Sequence, residues 1–253
     1  MKLMWRLSFL GAICIFQAFA QTTEKPAPYQ KQAVVAQNAD TIHISANSPR
    51  PLLQTLDALQ QKFGWAVDYE DPRYISHMDY VDVPGDETRP QMPAGGSFTV
   101  DVPAKAAEAD ALRLVVDSYN QSKNPGRFEV RPGEQNRFYV VGTGAHDVKG
   151  SISSQQALLD ISVTIPTRQR TIAETISLIC GAAAKQTHTT VTLGVSPRNF
   201  LEHAPAKIGG NRVPARELLL QCLAATHRNL YWRLLFDPSS KGYFLDIHAV
   251  PRS

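Results

Sequence analysis

Apolar residues recur along this chain with two periods, and the clearest run lies between Val213 and Val250. Ala215, Leu218, Leu219, Cys222 and Leu223 fall at i, i+3, i+4, i+7 and i+8, which puts them on one face of a helix. Pro214 suits the first helical position, where no N–H is needed, and Asn229 suits a left-handed helix end. Leu230, Trp232, Leu234 and Phe236 then alternate with Tyr231, Arg233 and Asp237, the period of a half-buried strand. Turn chemistry from Asp237 to Gly242 leads into Tyr243, Leu245 and Ile247, which alternate with Phe244, Asp246 and His248 as the return strand of a hairpin.

The same periods organise the rest. Thr41 to Ile44 reads as a strand, Ser48 before Pro49 as a helix cap, and Leu52, Leu53, Leu56, Leu59 and Phe63 as a buried stripe that Gly64 ends. Trp65, Val67 and Tyr69 predict the next strand, whose other face carries Asp68. From Asp71 to Gly96 no period persists, which predicts a long irregular connection of the kind that is often functional. Ser97 to Val102 predicts a strand, Pro103 opens a helix with Ala111, Leu112, Val115, Val116 and Tyr119 inward, and Phe128 to Val141 forms a hairpin. After a Gly- and Ser-rich stretch, Ile161, Val163 and Ile165 begin a second series. Thr171 and Glu174 form a capping box ahead of Ile172, Ile176, Ile179 and Ala183, and Thr189 to Val195 is β-branched. Ser196 to Asn211 reads as a connection with a short strand near Lys207 and Ile208.

Both series give strand, helix, strand, connection, helix, strand, turn, strand. Gln54-Thr55-Leu56 answers Glu174-Thr175-Ile176, and Val102-Pro103-Ala104 answers Val213-Pro214-Ala215. The expected fold class is therefore α+β, as two tandem small modules, each a short sheet with two helices packed on one face. The boundaries are a first module over 39–144, a linker over 145–156 and a second module over 157–253.

The segments "SFTVDVP…ADALRLVVDSY" and "VPARELLLQCLAATHRNLYWRLL", each followed by a hairpin, resemble the short N-terminal domain of secretins and TonB-dependent transducers. The likeness rests on hydrophobic spacing over most of both halves. It implies a periplasmic module that docks onto other proteins.

Composition narrows the partner. Residues 1–20 carry Lys2 and Arg6, an apolar run from Leu7 to Phe16 and then Ala18-Phe19-Ala20, the pattern of a secretory signal peptide cleaved near Ala20. The run is too short for a membrane anchor, no other stretch predicts a transmembrane segment, and Ile13 before Cys14 does not fit a lipoprotein signal. A polar, Pro-containing leader follows over 21–38. Loss of Lys2 and Arg6 brings 26 basic and 23 acidic residues close to parity, so no nucleic-acid partner is expected. Cys180 and Cys222, on predicted helices of one half, form a candidate disulfide in an oxidising compartment, with two buried thiols as the alternative.

Candidate chemistry is sparse. The seven histidines show no metal-ligand spacing, Asp246 and His248 share a strand face without further support, and Cys222 and His227 lie on different helical faces. Gly95-Gly96 and Gly209-Gly210 lack the context of a phosphate loop and read as turns. The expectation is an exported periplasmic or secreted protein without catalytic activity, cofactor or metal, which binds other envelope proteins. Tyr231 and Arg233 on the outer face of their strand, together with free sheet edges, are the candidate surface. The alternative is a small-ligand or envelope-polymer binding protein with its site between the modules.

Overall fold

The computed structural model describes residues 29–83, 88, 90–134 and 137–250; the expected signal peptide and the start of the leader lie outside the described residues. The elements are β1 (Val34–Gln37), β2 (Thr41–Asn47), α1 (Pro51–Phe63), β3 (Val67–Glu70), β4 (Tyr80–Asp82), β5 (Gln91–Pro93) and β6 (Ser97–Pro103). Next come α2 (Glu108–Asn120), β7 (Arg127–Pro132), β8 (Phe138–His146), β9 (Ile152–Ser154), a 3-10 turn at Leu158–Asp160, β10 (Ser162–Thr171) and α3 (Ile172–Thr187). The chain closes with β11 (Val191–Leu193), α4 (Arg198–Glu202), β12 (Pro205–Pro214), α5 (Ala215–Ala225), β13 (Leu230–Asp237) and β14 (Gly242–Ala249). The fold is α+β with several sheets.

Pairing in the first half recurs in the second. β2 pairs β6 and β10 pairs β12, both antiparallel. β3 pairs β8 and β11 pairs β14, both parallel, and the hairpins β7–β8 and β13–β14 are antiparallel. The halves are not joined by a loose linker. β3 also pairs β13 in parallel, Tyr69 opposite Arg233 and Glu70 opposite Leu234, so one sheet runs β11-β14-β13-β3-β8-β7.

The helical stripes predicted from spacing form most of the core, except that in α1 Leu53 is only half-buried and Phe63, at the helix end, is exposed with its ring stacked on Trp65. Leu52, Leu56 and Leu59 of α1 and Ala111, Leu112, Val115 and Val116 of α2 are buried, as are Ile172, Ile176, Ile179, Leu218, Leu219 and Leu223 in the second half. Each such Leu or Ile contributes about 1.5–3 kcal/mol by leaving water. The layering differs from the expectation, because α1, α2 and α3 each touch strands of two sheets instead of resting on one small sheet.

Local signals fared unevenly. The capping box forms as read, Glu174 N–H donating to Thr171 Oγ1 at 3.2 Å and Thr171 N–H to Glu174 Oε2 at 2.9 Å. Gly64 ends α1 in the left-handed region. Ser48 does not cap α1: its hydroxyl accepts the Arg50 N–H at 3.2 Å, one step ahead of the helix. His227, not Asn229, takes the left-handed conformation after α5. Pro103 ends β6, and α2 starts at Glu108. Val34–Gln37 of the expected leader is β1, an edge strand on β2. The 145–156 stretch is built into the sheet, with β9 pairing β8. Ser196–Asn211 holds most of the ten-residue β12. Gly209 reads as turn chemistry, yet here it admits close strand approach: a Cβ on it would stand 2.6 Å from Ile165 O. The long 71–96 connection contains the β4–β5 hairpin and is pinned by buried Tyr74 and by Asp79, whose carboxylate accepts the His146 N–H at 2.9 Å.

Candidate interaction surface

β3 decides how the halves meet. Its alternation sends Val67 and Tyr69 into the apolar core around α1 and α2, while Asp68 and Glu70 are equally buried. Those acids survive because the second half supplies main-chain donors to both and an arginine to Glu70, while Arg137 of the first half pairs with Asp68. Asp68 accepts a bidentate contact from Arg137, at 2.9 Å for the closer nitrogen, and the Trp232 N–H at 2.8 Å. Burial dominates its titration and pushes its carboxyl up to about 6, against the pull of Arg137 and of the Trp232 N–H. Glu70 accepts Arg216 Nη2 at 2.8 Å and the Leu159 N–H at 3.1 Å, and burial raises it too. Arg216 also pairs with Asp160 and lies over the rings of Tyr139 and Trp232. Asp160 is buried enough to be pushed up, but hydrogen bonds and charge from Arg131 and Arg216 outweigh that and hold it below the usual carboxylate range.

Asp71 completes the joint. It accepts Tyr69 Oη at 2.7 Å, Arg50 Nε at 2.7 Å and the Phe236 N–H at 3.0 Å, while its own N–H donates to Leu234 O at 2.9 Å. Arg50 Nη2 donates to Phe236 O. Trp232, Leu234 and Phe236 thus each give main-chain bonds to the first half.

The predicted surface residues part company here. Tyr231 is half-buried, its ring stacked on His248 with centroids 5.3 Å apart, and remains reachable from solvent. Arg233 is not on an open surface: it is 6% exposed, pairs with Asp57 of α1 and covers the Tyr231 ring. The outer strand face read as solvent-facing is covered at this point by the first half. Asp246 and His248 do not pair with each other in a site, since Asp246 Oδ1 accepts the Val195 N–H at 2.7 Å. Cys180 and Cys222 lie buried on the packed helices α3 and α5 as free thiols, and burial pushes both up to about 12.

A cleft of about 560 Å³ opens between the halves, lined by Arg137 and Tyr139 on one side and Glu217, Leu220 and Arg228 on the other. Its lining mixes charged side chains with the apolar Leu220, Leu223 and Ala224. Among the described residues no three His, Cys, Asp or Glu come together to hold a metal, and no helix is long and apolar enough to cross a membrane. A second patch joins exposed Val195 and Phe244, beside β11, to Met92, Pro93 and Leu235. β11 ends the shared sheet there. No family model, curated protein or solved structure matches this chain.

Reading the sequence missed Asp68, Glu70 and Asp71, which look like the solvated face of a strand. The internal repeat held the signal. By strand register Val67 and Tyr69 correspond to Val191 and Leu193, so the positions that carry acids in the first copy carry none in β11.

Proposed function

We propose that this is an exported envelope protein, without catalytic activity, that binds other proteins through its sheet edges and is built from two tandem domains of the secretin and TonB-transducer N-terminal type. The recurrence of the pairing scheme supports the two copies. The observation that carries the binding role is the β3–β13 joint, where a strand of one half adds to the sheet edge of the other. A fold that assembles itself by strand addition has the equipment to receive a partner in the same way. β11 offers the open edge, with Val195 and Phe244 exposed beside it.

The test is a photo-crosslinker in place of the exposed Thr192 side chain, used in envelope extract. A single defined partner, lost when Leu193→Pro closes the edge, is the expected result. Absence of any edge-dependent product, together with turnover of a small molecule by the purified protein, would sink the reading.

The cleft at Arg137, Tyr139 and Arg228 favours a second reading, a binder of small ligands or envelope polymer. A thermal shift with cell-wall fragments that is abolished by Arg228→Ala and kept by Leu193→Pro would favour it instead.

A further inference from the structure

Strand register makes β7 the counterpart of β13. Val140 of β8 lies opposite Val130, and Leu245 of β14 opposite Leu234; Phe138 lies opposite Pro132, and Tyr243 opposite Phe236. Phe128, Val130 and Pro132 are therefore the equivalents of Trp232, Leu234 and Phe236, the three residues whose main-chain groups hold β3. The β7 edge ends the shared sheet, so the same three positions face outward.

Two of them are closed. The Asn120 side chain reaches from the last position of α2, accepts the Phe128 N–H at 2.9 Å with Oδ1 and donates to Phe128 O at 2.7 Å with Nδ2. One amide thus satisfies both main-chain groups that a neighbouring strand would use. Pro132 stands where Phe236 donates to Asp71, and it has no N–H to give. Proline and locally satisfied backbone are the means by which sheets stop growing at an edge.

At the far end of the sheet the counterpart of β3 is open. Thr190 O and Gly194 N–H bond to β14, so by alternation Val191 and Leu193 present their main chain outward, as their counterparts Val67 and Tyr69 do in β3. Val195, the counterpart of Asp71, instead donates its N–H to Asp246 and accepts the Ile247 N–H with its carbonyl. One molecule therefore carries at the two ends of its sheet the strand positions that pair inside it, β11 without the carboxylates that Asp68 and Asp71 add to the internal joint. A joint between unlike edges is heterologous and extends head to tail, into a ring or an open filament according to its rotation, so it passes beyond a dimer.

We propose that the β7 edge is a self-association site for the β11 edge of a second copy, held shut by Asn120 and Pro132. The occupant is a second copy because the same pairing, parallel and between the same two strand positions, already exists inside the chain. Asn120 acts as a one-residue stand-in for the incoming strand.

The experiment is sedimentation of the purified protein and of Asn120→Ala with Pro132→Thr. The unmodified chain is expected to stay monomeric, and the folded double variant to gain mass with concentration, past the dimer. Adding Leu193→Pro should return it to monomer. A folded double variant that remains monomeric at millimolar concentration overturns the proposal, as does association that survives Leu193→Pro. If loss of Asn120 unfolds the chain, Pro132→Thr alone and amide exchange of the unmodified protein decide. The Phe128 amide should exchange at least about ten times more slowly than that of Val130 on the same edge. Equal rates mean that Asn120 does not close the edge.

Discussion

Asp68 and Trp232 belong to opposite halves of the chain, and the Asp68 carboxylate accepts the Trp232 backbone N–H at 2.8 Å while it is fully buried. The bond turns a charged residue of one half into part of the other's strand edge. Asp68→Ala should cost about 3 kcal/mol, because Arg137 loses its partner and the Trp232 N–H its acceptor. Asp68→Asn keeps an acceptor and should cost about 1 kcal/mol. Urea denaturation of both variants measures this, and an Ala variant within 0.5 kcal/mol of the parent, about the scatter of neutral surface changes, refutes it.

The same carboxyl sets a pH dependence. Its folded pKa of about 6 lies above the unfolded value of about 3.9, so the folded chain holds the proton more tightly. This contribution is full below about pH 4 and is lost as pH rises through about 6, at a cost of roughly 2–3 kcal/mol. Glu70 and Asp57 shift in the same direction, while Asp160 shifts the other way and loses its contribution only as pH falls below the normal carboxylate range. The difference in unfolding free energy between parent and Asp68→Asn should therefore change between pH 4 and 7. Parallel profiles for the two proteins would contradict it.

Arg233→Ala tests whether this residue serves the fold. Its side chain is nearly buried against Asp57, whose own side chain is 41% exposed and can return to water. A loss of about 1–2 kcal/mol is expected, smaller than for Asp68→Ala. Binding in the crosslinking assay should persist in the folded variant.

Cys180 and Cys222 should be almost inert in the folded protein. Thiols pushed up to about 12 are mostly protonated at pH 8, and burial blocks the reagent. Labelling should be at least about a hundredfold slower than in guanidinium, followed at each cysteine by mass spectrometry. Comparable rates, or recovery of a Cys180–Cys222 disulfide from oxidised protein, would show a different arrangement.

Much of this fold is legible in the amino-acid order. The stripes of α1, α3 and α5 and the alternation of β13 and β14 are periodic, and periodicity is set by burial on one side of one element. What could not be read is where a face meets a surface distant in sequence. Asp68, Glu70 and Arg233 have the pattern of solvated positions, and only the β3–β13 pairing makes them interior. β12 is legible only as a short strand near Lys207 and Ile208 for a related reason, since Gly209 and Gly210 carry the marks of a turn until a second strand lies close against them. The edge closure at β7 needed two halves set side by side, because Asn120 by itself is an ordinary helix end.

The β3–β13 pairing also fixes an order of events in time. Tyr69 waits for Arg233, more than half the chain away, before its strand has a neighbour on that side. Contacts so far apart form late, since the intervening chain must first be brought together. Until β13 emerges, the Asp68 and Asp71 carboxylates lack the Trp232 and Phe236 N–H donors, and the first half stays unfinished. A chain released early, before its last few dozen residues, would present an open acidic strand edge to whatever quality-control protein meets it.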